Sequence, residues 1–205
     1  GMHFLDTASA EGNGHPELSE EAAHEHEGHG HSHGGSDPHV WVAPATVAVA
    51  AANIAEGLAA ADPGRAAEYR ANLRRFLNDI RDLDREIRAR LGDSALGRGR
   101  AFLVYHPTWG YFADQYGLTQ IAIEAEGREP SASRLIALIE RARAEGVRVI
   151  FVQEGFPRKS AQVIAEAVGG RVVTADPQRY DWLDNLRDVA AEMSKALPQG
   201  RPPHG

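Results

Sequence analysis

The sequence predicts an α/β fold: a four-stranded, mainly parallel sheet covered by helices and preceded by a long bracing helix. Three observations carry this. Four short apolar runs of strand length lie in the second half of the chain. Helical stretches alternate with them, the order of a parallel sheet. One long amphipathic stretch stands ahead of them all, over 62–92.

Taken in order, residues 10–36 are a polar loop rich in Gly, Glu and His. That loop has too few apolar residues to pack, so it is expected to be poorly ordered without metal. Residues 37–100 form a helical region. Its first helix runs from Trp41 to Ala61 and is rich in Ala and Val. The second starts at Asp62, a good N-cap, has Pro63 in its first turn and stops at Gly92. Tyr69, Leu73, Phe76, Ile80, Leu83 and Ile87 recur at steps of four and three, which makes one apolar stripe. At about 1.5 Å per residue this helix spans roughly 40 Å.

Residues 101–205 form the α/β lobe. The strands are "AFLVY" (101–105), "TQIAI" (119–123), "VRVIFV" (147–152) and "RVVT" (171–174). They lack strict alternation, as strands buried on both faces do. Helices are expected over 109–117, 131–145, 158–168 and 182–197.

Composition narrows the function. Of 205 residues, 42% are hydrophobic and 25% charged, a globular balance. The net charge is −7 and no Lys/Arg cluster forms a basic patch, which argues against nucleic acid. No apolar run reaches eighteen residues, so no membrane-spanning segment is expected. Cysteine is absent. A transition metal must therefore be held by His, Asp or Glu.

Ligands of open parallel sheets bind beyond the carboxyl ends of the strands. His106 follows the first strand, Glu154 the third and Asp176 the fourth. His39 stands ahead of the first helix in "DPHVW" and could reach the same rim. Imidazoles with a carboxylate suit a borderline divalent cation such as zinc. Each residue also has a plain structural reading. His106 could simply end a strand, and Asp176 could make an Asp-Pro turn. His39 could enter a helix capped by Asp37, and Glu154 reads best as a surface or supporting carboxylate.

The run "HEHEGHGHSHGG" carries His24, His26, His29, His31 and His33. Its irregular, Gly-rich spacing cannot preset one coordination geometry. It reads as a weak, multivalent metal binder, because each event must order flexible backbone. The plain alternative is a solvated linker.

"DPHVWVAP", then "DPGRAAEYRANLRRFL", then "YHPTWGYFADQYGL" occur in the order that resembles the zinc- and manganese-specific solute-binding proteins of ABC transporters. "EPSASRLIALIERARAEGVRVIFVQEGFPRKSAQVIAEAVGGRVV" is similar to the segment that comes after these motifs in that family. The resemblance covers about residues 37–197. It implies two α/β lobes joined by a long helix, with metal held between them. It implies His39, His106 and Asp176 as metal ligands, and it ranks zinc above manganese because manganese members typically have Glu where His106 stands. It also makes 1–9 the last strand of an N-terminal lobe whose further histidine ligand has no counterpart here.

The expected function is therefore zinc capture for an ABC-transporter permease, without catalysis, in the periplasm or outside the cell. No signal sequence is expected in this chain. A stand-alone zinc buffer or metallochaperone is the alternative. A zinc hydrolase with Glu154 as general base ranks third, for want of an HExxH-type motif. A face left open between lobes invites a homodimer.

Overall fold

Residues 37–92 and 100–195 are described by the structure, a computed structural model. Residues 1–36, 93–99 and 196–205 lie outside that description, so the expectations for the strand at 1–9 and for the loop at 10–36 are not addressed by it.

Two helices come first, α1 (Pro44–Ala61) and α2 (Ala66–Leu91). Pro44 opens α1, where its missing N–H costs nothing. Asp62 differs from expectation. It does not cap α2 with its side chain; it ends α1 and leads a short 3₁₀ turn, Pro63–Arg65. Its carboxylate accepts from Arg65 Nε at 2.7 Å and Tyr69 Oη at 3.3 Å instead. The proline's fixed φ suits that tight turn as well as a helix start. Gly92 ends α2 as expected, at φ 71°.

The apolar stripe of α2 splits into two uses. Ile80, Leu83 and Ile87 are buried against the lobe, whereas Tyr69, Leu73 and Phe76 are half-buried. An ion pair joins α1 to α2 at Glu56–Arg70 (2.9 Å), and Arg187 reaches Glu86 of α2 at 2.7 Å. Among the described residues, α1 alone is long and apolar enough to match a membrane span by length and composition, with mean hydropathy 1.3. Its ion pair ties it to α2, yet Val49, Ile54 and Leu58 remain exposed.

The lobe runs β1 (Ala101–Val104), α3 (Gly110–Gln115), β2 (Thr119–Ala122), α4 (Ala132–Glu145), β3 (Val149–Val152), α5 (Lys159–Val168), β4 (Arg171–Thr174) and α6 (Trp182–Ser194). All three strand pairings are parallel, in the order β2-β1-β3-β4. Leu103 sits opposite both Ile121 and Ile150. Alternate residues of β1 face opposite layers. Phe102 and Val104 join α2, α3 and α6 through Leu83, Ile87, Phe112 and Leu186. Ala101, Leu103 and Tyr105 join α4 and α5 through Leu138, Ala142, Ala161 and Ile164. Burial on both faces explains why the strands read as unbroken apolar runs.

Arg100 enters β1 as a buried cation. Its guanidinium donates to the carbonyls of Leu91, Tyr116 and Gly117 at 3.2, 2.8 and 3.0 Å. Those oxygens close α2 and follow α3, so one side chain satisfies acceptors that helix ends leave open. Between α5 and β4 the chain turns at Gly169 (φ 64°), and a Cβ on Gly170 would meet the Arg148 carbonyl at 3.0 Å.

Candidate metal centre

The strand order reverses direction around β1, whose neighbours are β2 and β3. The crevice beyond such a switch point is where open sheets bind ligands. β1 continues through Tyr105, whose N–H donates to the Phe151 carbonyl at 2.9 Å, and delivers His106 to that crevice.

β2 continues likewise. Ile123 and Glu124 donate backbone N–H groups to the carbonyls of Val104 and Tyr105, at 2.9 and 3.1 Å. Glu124 is thereby set beside His106, and its Oε1 lies 2.6 Å from His106 Nδ1. The Glu124 side chain is only 7% exposed, that of His106 34%. Phe156, from the loop after β3, stacks on the His106 ring at 5.8 Å between centroids and 13° between planes.

His39 approaches from the segment ahead of α1. Its Nδ1 lies 2.7 Å from Asp37 Oδ1, and its backbone N–H donates to the same oxygen at 3.0 Å. Asp37 therefore braces His39 and does not cap α1, whose N-cap is Ala43. Several hydrogen bonds pin the segment to the lobe, Trp182 Nε1 to the Trp41 carbonyl at 2.6 Å among them. Tyr111 Oη donates to the Asp37 carbonyl at 3.1 Å, and Trp41 Nε1 donates to the Pro177 carbonyl at 2.9 Å. The bond to Pro177 ties the segment to the turn that carries Asp176.

These supports bring the two imidazoles together. Their centroids are 5.6 Å apart with planes at 79°. Two imidazoles bound through nitrogen to one tetrahedral zinc have centroids about 5 Å apart, given Zn–N of about 2.0–2.1 Å. In both rings Nδ1 is taken by a carboxylate, which leaves Nε2 as the nitrogen free to ligate. A ligating histidine bonded through its other nitrogen to a carboxylate is the usual support of a metal site.

Asp176 is exposed just past β4. Its Oδ1 accepts from Gln178 N–H at 2.8 Å, and its carbonyl accepts from Asn185 at 2.7 Å. Its carboxylate is thus engaged by its own turn. Among the described residues, no three His, Asp or Glu side chains stand close enough to hold one ion together. The pair His39–His106 is formed and Asp176 does not complete it. Glu154 is exposed in the turn after β3. His24, His26, His29, His31 and His33 lie outside the described residues.

Glu124 is the residue that sequence reasoning passed over. His106 and Asp176 stand just past strand ends, and the same rule reaches Glu124, which directly follows "TQIAI". Nearby, Tyr105 carries a hydroxyl whose pKa is raised by burial and by Glu129. Glu129 also accepts from Ser160.

Comparison with known proteins gives a consistent picture. The sequence matches the family described as ZnuA, zinc-uptake complex component A, periplasmic, over residues 2–196. It is 32% identical to the zinc-binding protein AdcA of Streptococcus pyogenes serotype M3, over 81% of this chain and 33% of that protein. It is 34% identical to the high-affinity zinc uptake system protein ZnuA of Paracoccus denitrificans, over 70% of this chain and 44% of that one. The chain thus spans from a third to under half the length of these relatives. A crystal structure of ZnuA superposes with a TM-score of 0.73 at 40% identity, covering 78% of this chain and 62% of that one. A ZnuA deletion mutant with zinc bound gives 0.72 at 38% identity, covering 81% and 63%.

Proposed function

The chain belongs to the ZnuA family of periplasmic zinc-uptake components, and from that premise we propose that it captures zinc and hands it to an ABC-transporter permease. The observation that carries this reading is the pair of facing imidazoles, each bonded through Nδ1 to a carboxylate. His39 and His106 supply neutral nitrogen ligands. Asp176 supplies the charged third ligand by turning out of its own turn, which its exposure permits. Zinc is preferred to manganese because imidazole suits borderline cations better than hard ones.

The site binds and releases; it does no chemistry on a substrate. Location in the periplasm or outside the cell follows from the family. Residues 37–100 serve as the helical connector and 101–205 as the C-terminal α/β lobe. The exposed apolar residues of α1, Val49, Ile54 and Leu58, support a homodimer through that face.

The loop at 24–33 raises the local zinc concentration through His24, His26, His29, His31 and His33. Each ion it wraps costs about 1–2 kcal/mol per residue fixed, so its sites are weak. Zinc titration calorimetry tests the division of labour. Deleting residues 24–33 lowers the number of ions bound and leaves the tightest event nearly unchanged; His106→Ala does the reverse. Loss of the tightest event on loop deletion would make the loop a primary ligand and overturn the division.

A further inference from the structure

We propose that Glu124 is a positioning residue that fixes the tautomer of His106 before any metal arrives. This rests on the zinc-capture reading of the site and adds to it the residue that prepares the ligand. The geometry separates Glu124 from an ordinary neighbour in three ways.

First, the Glu124 main chain, from which the carboxylate projects, is held on two sides. The Glu124 N–H donates to the Tyr105 carbonyl at 3.1 Å, and the Glu124 carbonyl accepts from Arg134 Nη2 of α4 at 3.2 Å. Second, its side chain is 7% exposed, so water competes little for the carboxylate. Third, the ring it meets cannot swing freely, because Phe156 stacks on one face of His106 and the His39 ring stands 79° to its plane.

An ionised carboxylate only accepts hydrogen bonds. At 2.6 Å from Nδ1 it requires a proton on that nitrogen. In the neutral ring the lone pair is then confined to Nε2. A free histidine side chain favours the opposite form, with the proton on Nε2, where it blocks ligation by that atom. Glu124 therefore does work that a metal would otherwise do on arrival. It also makes the ring a stronger donor, as carboxylate-supported histidines are. Asp37 meets His39 in the same way but is 38% exposed and lies two residues away on the same segment, so it holds its ring less firmly.

The tautomer is read directly in the metal-free protein by nitrogen-15 NMR of the His106 ring. The wild type shows the proton on Nδ1. Glu124→Leu moves His106 toward the Nε2–H form and weakens zinc binding about 10- to 100-fold. Glu124→Gln, which keeps an acceptor oxygen, retains Nδ1–H and loses less affinity. A wild-type His106 with its proton on Nε2 overturns the proposal, and does so even if Glu124→Leu fails to fold. Unchanged Nδ1–H in Glu124→Leu also overturns it. A shifted tautomer with unchanged zinc binding has a different meaning: positioning stands, and His106 as a zinc ligand falls.

Discussion

His106 stands on a strand end and His39 on a lead-in segment, and the two are braced by carboxylates of different origin. The partner of His106 is Glu124, 18 residues away, brought in by the parallel register of β1 and β2 and nearly buried. The partner of His39 is Asp37, two residues away and 38% exposed. A polar contact screened from water is stronger electrostatically than one at the surface, where such pairs are worth about 0–1 kcal/mol. The sheet therefore holds one half of the site ready, while the other half depends on Tyr111 and Trp41 to keep its segment in place. Less ordering is left to be done at His106 when the ion binds.

The largest expected effect comes from that asymmetry. His106→Ala weakens the tightest zinc event by more than about 100-fold, and His39→Ala by about tenfold less than that, since loss of an orienting contact alone already costs about 10–100-fold in such sites. Competition titration with a chelator of known affinity reads both. Equal losses would mean the halves are equally prepared, and a larger loss at His39 would invert the comparison.

The smallest effect concerns the face of α1, which begins at Pro44, shortly after His39. If a second copy covers Ile54 and Leu58, it steadies the His39 half and leaves the His106 half alone. Sedimentation then finds a dimer for the wild type and a monomer for Ile54→Glu with Leu58→Glu, and zinc affinity drops only a few-fold. A monomeric wild type removes the partner from the account.

The contrast also shows what a sequence can disclose. The four strands were legible because burial on both faces demands unbroken apolar runs, and "AFLVY" and "VRVIFV" have no other use. The stripe of α2 was legible from its spacing, but not that Tyr69 and Phe76 would stay half-buried while Leu83 and Ile87 entered the core. Asp62 was misplaced because the same residue types, Asp then Pro, begin a 3₁₀ turn and an α-helix alike. His39 and His106 were named by position and motif. The pairing of His106 with Glu124 depends on the register of β1 against β2, and the closeness of the two imidazoles on the long-range bonds that hold the His39 segment to the lobe. The alternative of Asp37 as a helix cap fails because His39 N–H takes its carboxylate first.

The most direct test of the account is a zinc-soaked crystal measured at the zinc absorption edge. The account predicts one strong anomalous peak about 2.0–2.1 Å from Nε2 of both His39 and His106, with an Asp176 carboxylate oxygen at about 2.0–2.2 Å. A peak bonded to Nδ1, or to only one of the two imidazoles, would contradict it.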